Sequence, residues 1–412
     1  MKDHSERHAS AGLIIAICWF IAALEGYDIQ AFGVAAPRFA PELGLNPHQM
    51  GWAGSAAMVG LITGAILGGW IGDRVGRKPV LAACTAAFGV FSFATAFAHD
   101  SQSLVWARLA TGVGFGGALP NLIAIATEIS APNRRAATTT TMFCGMPAGG
   151  ALVALAARSG GESLDWRLIF EVGGLAPLVI TPMILWLLPE TRPRHEAGGD
   201  RGVLKALFGE GRATATVLLW LVFVVALIVL YLMLNWLPTL IIAKGFSKEM
   251  GSSAALIFNA AGVPGALLVG FIADRAGFRW PLLIVFVGLA LALWGMAGAQ
   301  ASTALLILAG ASGALVLGAN YALYALAPVF YPPQSRAAGA GAAVAVGRIG
   351  SIIGPVLAGE LRAAGYSPGQ VFGVLAPLVL AAAVGAVLLT TLGKPYGASP
   401  EPPGFKPKPI EA

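Results

Sequence analysis

The sequence predicts an all-α membrane protein with twelve transmembrane helices in two six-helix halves. Of its 412 residues, 57% are hydrophobic and only 11% are charged, whereas soluble domains carry about 25% charged residues. The apolar stretches are long enough to span a bilayer as helices, for which roughly 20 residues suffice. Two polar motifs recur at one fixed offset, which indicates that the second half repeats the first.

Twelve apolar stretches, separated by polar or helix-breaking residues, define the predicted spans. The first six are expected at about 12–37, 50–72, 79–98, 102–128, 135–158 and 166–189. The last six are expected at about 213–241, 250–273, 280–300, 302–331, 335–362 and 367–392. We therefore predict an N-terminal half over 1–189, a cytoplasmic linker over 190–212, a C-terminal half over 213–392 and a tail over 393–412. The tail is rich in proline and lysine and is predicted to be disordered.

The distribution of lysine and arginine predicts the orientation. Eighteen of the 26 basic residues fall on one side of the predicted topology and six on the other. Cytoplasmic segments carry the excess of positive charge, so both termini and the linker are expected in the cytoplasm and the protein in the cell (inner) membrane. The net charge of +6 is then explained by topology and by anionic membrane lipid, and nucleic acid is not an expected partner.

Two acids interrupt the first span. Glu25 and Asp28 are three residues apart, which places both carboxyl groups on one face of a helix. A charge at the bilayer centre costs about 2.5–3.5 kcal/mol even on the lenient insertion scale. One interpretation is a structural salt bridge within the bundle. The other is a proton or substrate site facing a water-filled cavity, which is the usual reading of an intramembrane acid, and we predict that both residues take part in proton coupling.

The two repeated motifs lie in loops. The run GWIGDRVGRK at 69–78 returns as GFIADRAGFR at 270–279, and PNRRAA at 132–137 returns as PQSRAA at 333–338. Both pairs are offset by 201 residues. Tandem halves of this kind place a substrate site between them near the membrane midplane.

The charged loop motif is predicted to act in conformational gating. Its glycines permit a tight turn and close helix contact, and Asp73 can lie against the positive N-terminal end of a neighbouring helix. The alternative is that the charges only fix topology, but glycine, acid and base recur in the same order in the second copy. The gating assignment covers Gly69, Asp73, Arg74, Gly76, Arg77, Asp274 and Arg275. Glu128 is expected to be an ion-pair partner of these basic loops rather than a substrate contact.

These loops and the twelve spans resemble the major facilitator superfamily. The run EGYD at 25–28 resembles the D-G-x-D signature of its aromatic acid:proton symporters, with Glu25 in place of the first aspartate. The runs at 108–121, 165–167 and 347–355 resemble the fourth, sixth and eleventh spans of that family. The resemblance implies the major facilitator fold and import of an aromatic carboxylate together with protons, by alternating access. Within that family, the resemblance further implies 3-(3-hydroxyphenyl)propionate or a related hydroxylated aromatic acid as the best candidate substrate.

Two arginines lie within spans. Arg348 is separated from Arg336 by eleven mostly small, apolar residues, and a guanidinium at that depth requires a partner. A substrate carboxylate fits its planar fork, and a permanent ion pair with Glu25 or Asp28 is the alternative. Arg108 is predicted to pair with an acid of the first span in proton coupling, or else to reach the membrane surface as an interfacial arginine.

Further substrate-binding residues are predicted among polar groups of the spans. Tyr324 is expected to stack on an aromatic ring and Asn235 to bind a hydroxyl group, although either residue also suits packing or an interfacial belt. Asn121 is assigned to the same site through the resemblance of its run. For Asn259, Asn320 and Tyr321, packing is the favoured interpretation.

Other functional classes lack their motifs. There is no G-x-x-x-x-G-K-[ST] loop for a nucleotide, and the histidines fall in tails or loops. The three cysteines lie in apolar stretches without metal-ligand spacing. We therefore expect no enzyme activity, no cofactor and no metal. A membrane sensor is disfavoured by the short tails. A proton-coupled exporter of organic anions or drugs stays open, because the run GMPAGG at 145–150 is typical of antiporters in this superfamily.

Overall fold

The predicted spans are present as helices. A computed structural model of the protein describes residues 11–130, 135–190, 207–209, 211–332 and 335–393. The described residues contain twelve helices that are long and apolar enough to cross a membrane, and no strand. This confirms the all-α membrane class. All but the first residue of the predicted tail, and most of the predicted linker, lie outside the described residues.

The helices of the first six spans are α1 Ala11–Glu42, α2 Pro47–Val75, α3 Arg77–Thr95, α4 Ser101–Glu128, α5 Arg135–Phe143, α6 Gly145–Ser159 and α7 Trp166–Leu187. Those of the last six are α8 Ala213–Ala243, α9 Lys248–Ala276, α10 Arg279–Gly298, α11 Ser302–Leu326, α12 Arg336–Ala363 and α13 Pro368–Leu392. The fifth span is made of α5 and α6, which meet at Cys144.

Several helices extend beyond the apolar stretch that predicted them. α1 continues to Glu42, past its predicted end at 37. α2 begins at Pro47 because Asn46 caps its N-terminus. The Asn46 side chain accepts a hydrogen bond from the backbone N–H of Gln49, and the Gln49 side chain accepts one from the backbone N–H of Asn46. Hydropathy detects the apolar part of a helix, but the local caps determine where its hydrogen bonding starts.

Helices pack in a pattern that repeats between the two groups of spans. α2 packs on α4, α1 on α6 and α3 on α7; correspondingly, α9 packs on α11, α8 on α12 and α10 on α13. The groups meet mainly through α1 with α8, α2 with α12 and α6 with α9. The repeated pattern matches the 201-residue offset of the loop motifs.

Glycines allow the closest of these contacts. A Cβ on Gly64 of α2 would overlap the backbone of α4, and a Cβ on Gly112 of α4 would overlap the backbone of α2. Small residues at such positions let two helix backbones approach each other. The α2–α4 pair therefore depends on glycine rather than on interlocking large side chains.

Candidate functional site

A cavity of about 690 Å³ lies between the two groups of helices. At its inner end are Gly26 of α1, Tyr231 of α8 and Arg348 of α12, all near the middle of their helices. It extends to Thr127 of α4 and Ala325 of α11, each within one turn of its helix end. We call this end of the molecule, where α2, α4, α9 and α11 finish, the motif face. The opposite end is called the clasp face.

At the clasp face the two groups are in contact. Ser55 of α2 donates a hydrogen bond to the carbonyl oxygen of Ile352 in α12 at 2.7 Å. Lys248 of α9 lies 3.2 Å from Glu162, which precedes α7. Gly359 of α12 packs directly on the backbone of α2. The cavity is therefore reached from the motif face and closed at the clasp face.

Arg348 is the cation of the cavity wall. Its Nη1 donates a hydrogen bond to the Tyr231 hydroxyl at 2.8 Å, and its charge also interacts with Tyr324 and Glu25. No carboxylate of the described residues lies within 4.0 Å of its guanidinium. The alternative of a permanent, direct ion pair with Glu25 or Asp28 is therefore not found in this conformation.

Glu25 is buried without a direct partner. Its side chain is 3% exposed, and its Oε1 accepts no hydrogen bond from the described residues. The electrostatic partners of its carboxyl group are Arg348, across the interface between the two helix groups, and Asp28 on its own helix. Because a buried carboxylate is costly unless it is paired, this group is well placed to gain and lose a proton.

Asp28 has a complete set of partners. One carboxylate oxygen lies 2.8 Å from Nη1 of Arg108, and the other accepts a hydrogen bond from Ser92 at 2.7 Å. Asp28 is 0% exposed and Arg108 is 1% exposed. The interpretation of Arg108 as an interfacial arginine is therefore wrong, since its guanidinium lies inside the first group of helices and against the acid of the first span.

Gln30 connects the two groups next to the cavity and was missed by the sequence reasoning. Its Nε2 donates to the carbonyl oxygen of Leu234 at 3.0 Å, and its Oε1 accepts from Nδ2 of Asn259 at 2.9 Å. The Leu234 carbonyl has no helical donor because Pro238, four residues later, has no N–H. A glutamine in an apolar span, and a proline that frees a carbonyl elsewhere, were the available signals.

The three further residues predicted to bind substrate occupy different places. Tyr324 lines the cavity, with its ring 5.3 Å from that of Phe223. Asn121 donates to the carbonyl oxygens of Gly68 and Gly117, both at 3.0 Å. Its side chain fills the α2–α4 contact, so the structure does not bring Asn121 to the cavity.

Asn235 is likewise directed away from the cavity. Its amide donates to the carbonyl oxygen of Tyr231 at 2.8 Å, and its side chain faces Gly54 of α2. The physical reason is helical phase: Leu234 lines the cavity, and the next residue is rotated by about 100° around a helix of 3.6 residues per turn. Neither Asn121 nor Asn235 therefore lines the cavity in this conformation.

The first copy of the charged loop is anchored by acids. The side chain of Arg77 contacts Glu128, and its backbone N–H donates to Glu190 at 2.9 Å. Glu190 thus caps the start of α3, where Gly76 has a φ of 119°, a backbone conformation that residues with a side chain rarely adopt. Asp73 is exposed and 4.0 Å from Arg77, so the acid at this helix N-terminus is Glu190 and not Asp73.

The side chains of the second copy of the loop form fewer ion pairs with described residues than those of the first copy. Arg275 lies 3.5 Å above the ring of Phe271, as Arg74 lies 3.6 Å above Trp70 in the first copy. Gly277 repeats the positive φ, at 73°. Asp274 is exposed and forms no ion pair with a described residue. Gly69 lies beside Pro120 of α4. The gating role of these residues stays a prediction.

Comparison with known proteins identifies the family. The model of the Major Facilitator Superfamily matches residues 18–322 and 251–412. This chain belongs to the major facilitator superfamily. The 3-(3-hydroxy-phenyl)propionate transporter of Escherichia coli K12 is 40% identical, over 92% of this chain and 93% of that protein. The gallate transporter of Pseudomonas putida is 31% identical over 90% of each chain, and the 4-hydroxybenzoate transporter of Pseudomonas aeruginosa is 30% identical over 92% of each.

Solved structures agree on the fold. A nucleoside transporter superposes with a TM-score of 0.78 at 14% identity, over 92% of this chain and all of that one. A D-xylose-proton symporter superposes with a TM-score of 0.76 at 17% identity, over 93% and 98% of the two chains. The predicted fold and family are confirmed, and the protein is a multi-pass membrane transporter and not an enzyme.

Proposed function

We propose that this transporter imports an aromatic carboxylate together with protons, with 3-(3-hydroxyphenyl)propionate or a related hydroxylated aromatic acid as the best candidate. The observation that carries the proposal is Arg348, a cation on a largely apolar cavity wall with no carboxylate partner among the described residues. The names of the relatives support the substrate class, since they include transporters of hydroxyphenylpropionate, gallate and 4-hydroxybenzoate.

The substrate carboxylate is bound by Arg348. The Tyr231 hydroxyl occupies one guanidinium nitrogen and thereby orients the planar fork. The remaining donors suit the two oxygens of a carboxylate. Leu230, Leu234 and the Tyr324 ring provide the apolar and aromatic surface that an aromatic ring requires.

Proton coupling is assigned to Glu25. In the empty cavity a Glu25 carboxylate and Arg348 attract each other across the two groups of helices. A proton on Glu25 removes this attraction, and the substrate carboxylate then supplies the negative charge for Arg348. In the loaded site the charge of Arg348 is thus balanced by the substrate carboxylate instead of by Glu25, which couples proton binding to substrate binding. Asp28 and Arg108 hold a fixed charge pair beside this exchange.

Transport follows from rocking of the two halves, over 1–189 and 213–392, about the central site. With the motif face in the cytoplasm of an inner-membrane protein, the conformation described above is open inward. The contacts of the clasp face would then separate when the cavity opens outward. The charged loops at the motif face form and break their ion pairs in the same cycle.

The alternative of export gains no separate support. Its motivation was the glycine-rich run at 145–150. Gly145 and Gly149 both face the backbone of α1 so closely that a Cβ would overlap it. Close packing of α1 on α6 therefore accounts for these glycines, independently of the direction of transport.

The test is uptake of radiolabelled 3-(3-hydroxyphenyl)propionate by cells that express the protein. We expect accumulation above the external concentration, and its loss on addition of an uncoupler. Cells carrying the Arg348→Ala variant are the matched control. Uptake that only equilibrates the substrate, or that is unchanged by the uncoupler, would contradict proton-driven import.

A further inference from the structure

Asn320 has an unused hydrogen-bond acceptor on the wall of the cavity. The residue is 2% exposed, and its Nδ2 donates to the carbonyl oxygen of Val316, one turn earlier in α11. Its Oδ1 is buried and has no hydrogen-bond partner among the described residues. Of the cavity-lining side chains in the described part of the chain, Asn320 alone has such a buried, unpaired polar atom.

Two neighbouring polar side chains on the wall already have hydrogen-bond partners. The Tyr321 hydroxyl donates to the carbonyl oxygen of Phe143 at 3.3 Å. The amide of Asn259 donates to Gln30 and to the carbonyl oxygen of Ala255, both at 2.9 Å. Buried polar atoms in folded proteins nearly always have a partner, and leaving one unpaired is costly. The missing donor is thus expected to come from a molecule in the cavity.

The position of Asn320 indicates which part of a ligand supplies that donor. Asn320 precedes Tyr324 by four residues on α11, which is about one helical turn. Tyr324 in turn interacts with the charge of Arg348. Asn320 therefore lies on the same face of α11 as Tyr324, next to the ring of a ligand whose carboxylate is held by Arg348 and whose ring lies against Tyr324.

We propose that Asn320 is a specificity-determining residue whose Oδ1 accepts a hydrogen bond from the ring hydroxyl of the substrate. This inference rests on the proposed function and deepens it, because it names the residue that selects phenolic acids over aromatic acids without a hydroxyl. A site that pairs a buried polar group with a substrate hydroxyl rejects the analogue that lacks it, since the protein group is then left unpaired.

The test compares the affinities of three acids for the purified, full-length protein by calorimetry. The acids are 3-(3-hydroxyphenyl)propionate, 3-phenylpropionate, which lacks the hydroxyl, and 3-(3-methoxyphenyl)propionate, which keeps the oxygen but cannot donate. We expect the wild-type protein to bind the hydroxylated acid about tenfold more tightly than either analogue, a ratio within the range expected for leaving a buried acceptor unpaired. In Asn320→Ala this preference should fall to about one.

Two further variants separate specificity from folding. Ser312→Ala removes a buried hydroxyl from the same helix. That hydroxyl contacts Met296 and not the cavity, so the variant should keep the tenfold preference for the hydroxylated acid. Asn320→Asp keeps an acceptor oxygen and should also retain a preference for the hydroxylated acid. A preference that survives in Asn320→Ala would overturn the proposal.

Wild-type measurements decide the matter even if Asn320→Ala does not fold. Equal affinity of the wild type for the hydroxylated acid and 3-phenylpropionate would overturn the role of Asn320 while leaving aromatic acid transport intact. Failure to bind any of the three acids would instead contradict the proposed function, and the role of Asn320 would fall with it.

Discussion

Glu25 and Asp28 lie one helical turn apart on α1 and are equally well buried, yet their surroundings differ. Asp28 has an arginine at 2.8 Å and a serine hydroxyl at 2.7 Å. Glu25 has no hydrogen bond and no cation within 4.0 Å among the described residues. The extent of burial therefore does not distinguish Glu25 from Asp28, whereas their local partners do.

The location of the partners also differs. Arg108, the partner of Asp28, belongs to α4 in the same group of helices. Arg348, which acts on Glu25, belongs to α12 in the other group. A charge pair within one group moves as a rigid unit, while a charge interaction between the groups changes when they rock. From this comparison we infer that Asp28 stabilises the first half and that Glu25 couples the two halves to the proton.

The largest expected effect is on stability, from breaking the Asp28 pair. Asp28→Asn leaves the buried guanidinium of Arg108 without its counter-charge, which typically costs about 3–5 kcal/mol. We expect a strongly lowered melting temperature and less folded protein in the membrane. The double variant Asp28→Asn/Arg108→Gln removes both charges and should recover much of the loss. If Asp28→Asn is as stable as the wild type, Asp28 is not a structural charge.

Arg348 should affect binding more than stability. Arg348→Ala leaves the substrate carboxylate unpaired in a largely desolvated site, at a cost of about 2–5 kcal/mol, which is roughly 30-fold or more in affinity. Arg348→Lys keeps the charge but loses the planar two-point contact and should give a smaller loss.

A neutral ligand provides the control for Arg348. The amide of 3-(3-hydroxyphenyl)propionate should bind the wild type weakly and lose little further in Arg348→Ala. Calorimetry on the same protein preparations measures both ligands. Equal losses for acid and amide would mean that the arginine is structural and that the carboxylate is held elsewhere.

Gln30 provides a contact between the groups that involves no charge. Gln30→Leu leaves the carbonyl oxygen of Leu234 without a donor at the proline of α8, and an unpaired buried carbonyl costs about 1–3 kcal/mol. We expect lower thermal stability and altered turnover with proton coupling retained, because the Glu25–Arg348 interaction is untouched. Loss of the uncoupler effect in Gln30→Leu would show that coupling is not confined to the charged groups.

The smallest effect is expected at the clasp face. The hydrogen bond and ion pair with Lys248 hold the pKa of Glu162 below its usual value. The contact is thus fully formed above the ordinary pKa of glutamate and is lost as the pH falls through the lowered value. Glu162→Gln should slightly raise the labelling rate of a cysteine introduced at Ser55, and acidification should have the same effect when Glu162 is kept. Glu249→Gln, a neighbouring exposed acid, should not change it.

Hydropathy and the loop repeat predict the fold because spans and turns are properties of local sequence. The partners of each side chain depend on helix rotation and on contacts between distant segments. Glu190 caps α3 from 113 residues away, and no local pattern announces this. Asn121 and Asn235 have the residue type expected in a binding site but point into the α2 contacts. Arg348 and Tyr324 do line the cavity, since they lie on the faces of α12 and α11 that turn inward.

The assignment of proton coupling to Glu25 and not to Asp28 is tested most directly with the Glu25→Gln variant, purified and reconstituted into proteoliposomes. Two assays are compared on the same vesicles: exchange of radiolabelled 3-(3-hydroxyphenyl)propionate against unlabelled substrate, and accumulation driven by a pH gradient. We predict that Glu25→Gln retains exchange, because a neutral side chain mimics the protonated acid, and loses gradient-driven accumulation. Accumulation at the wild-type level in Glu25→Gln would contradict the assignment of proton coupling to Glu25.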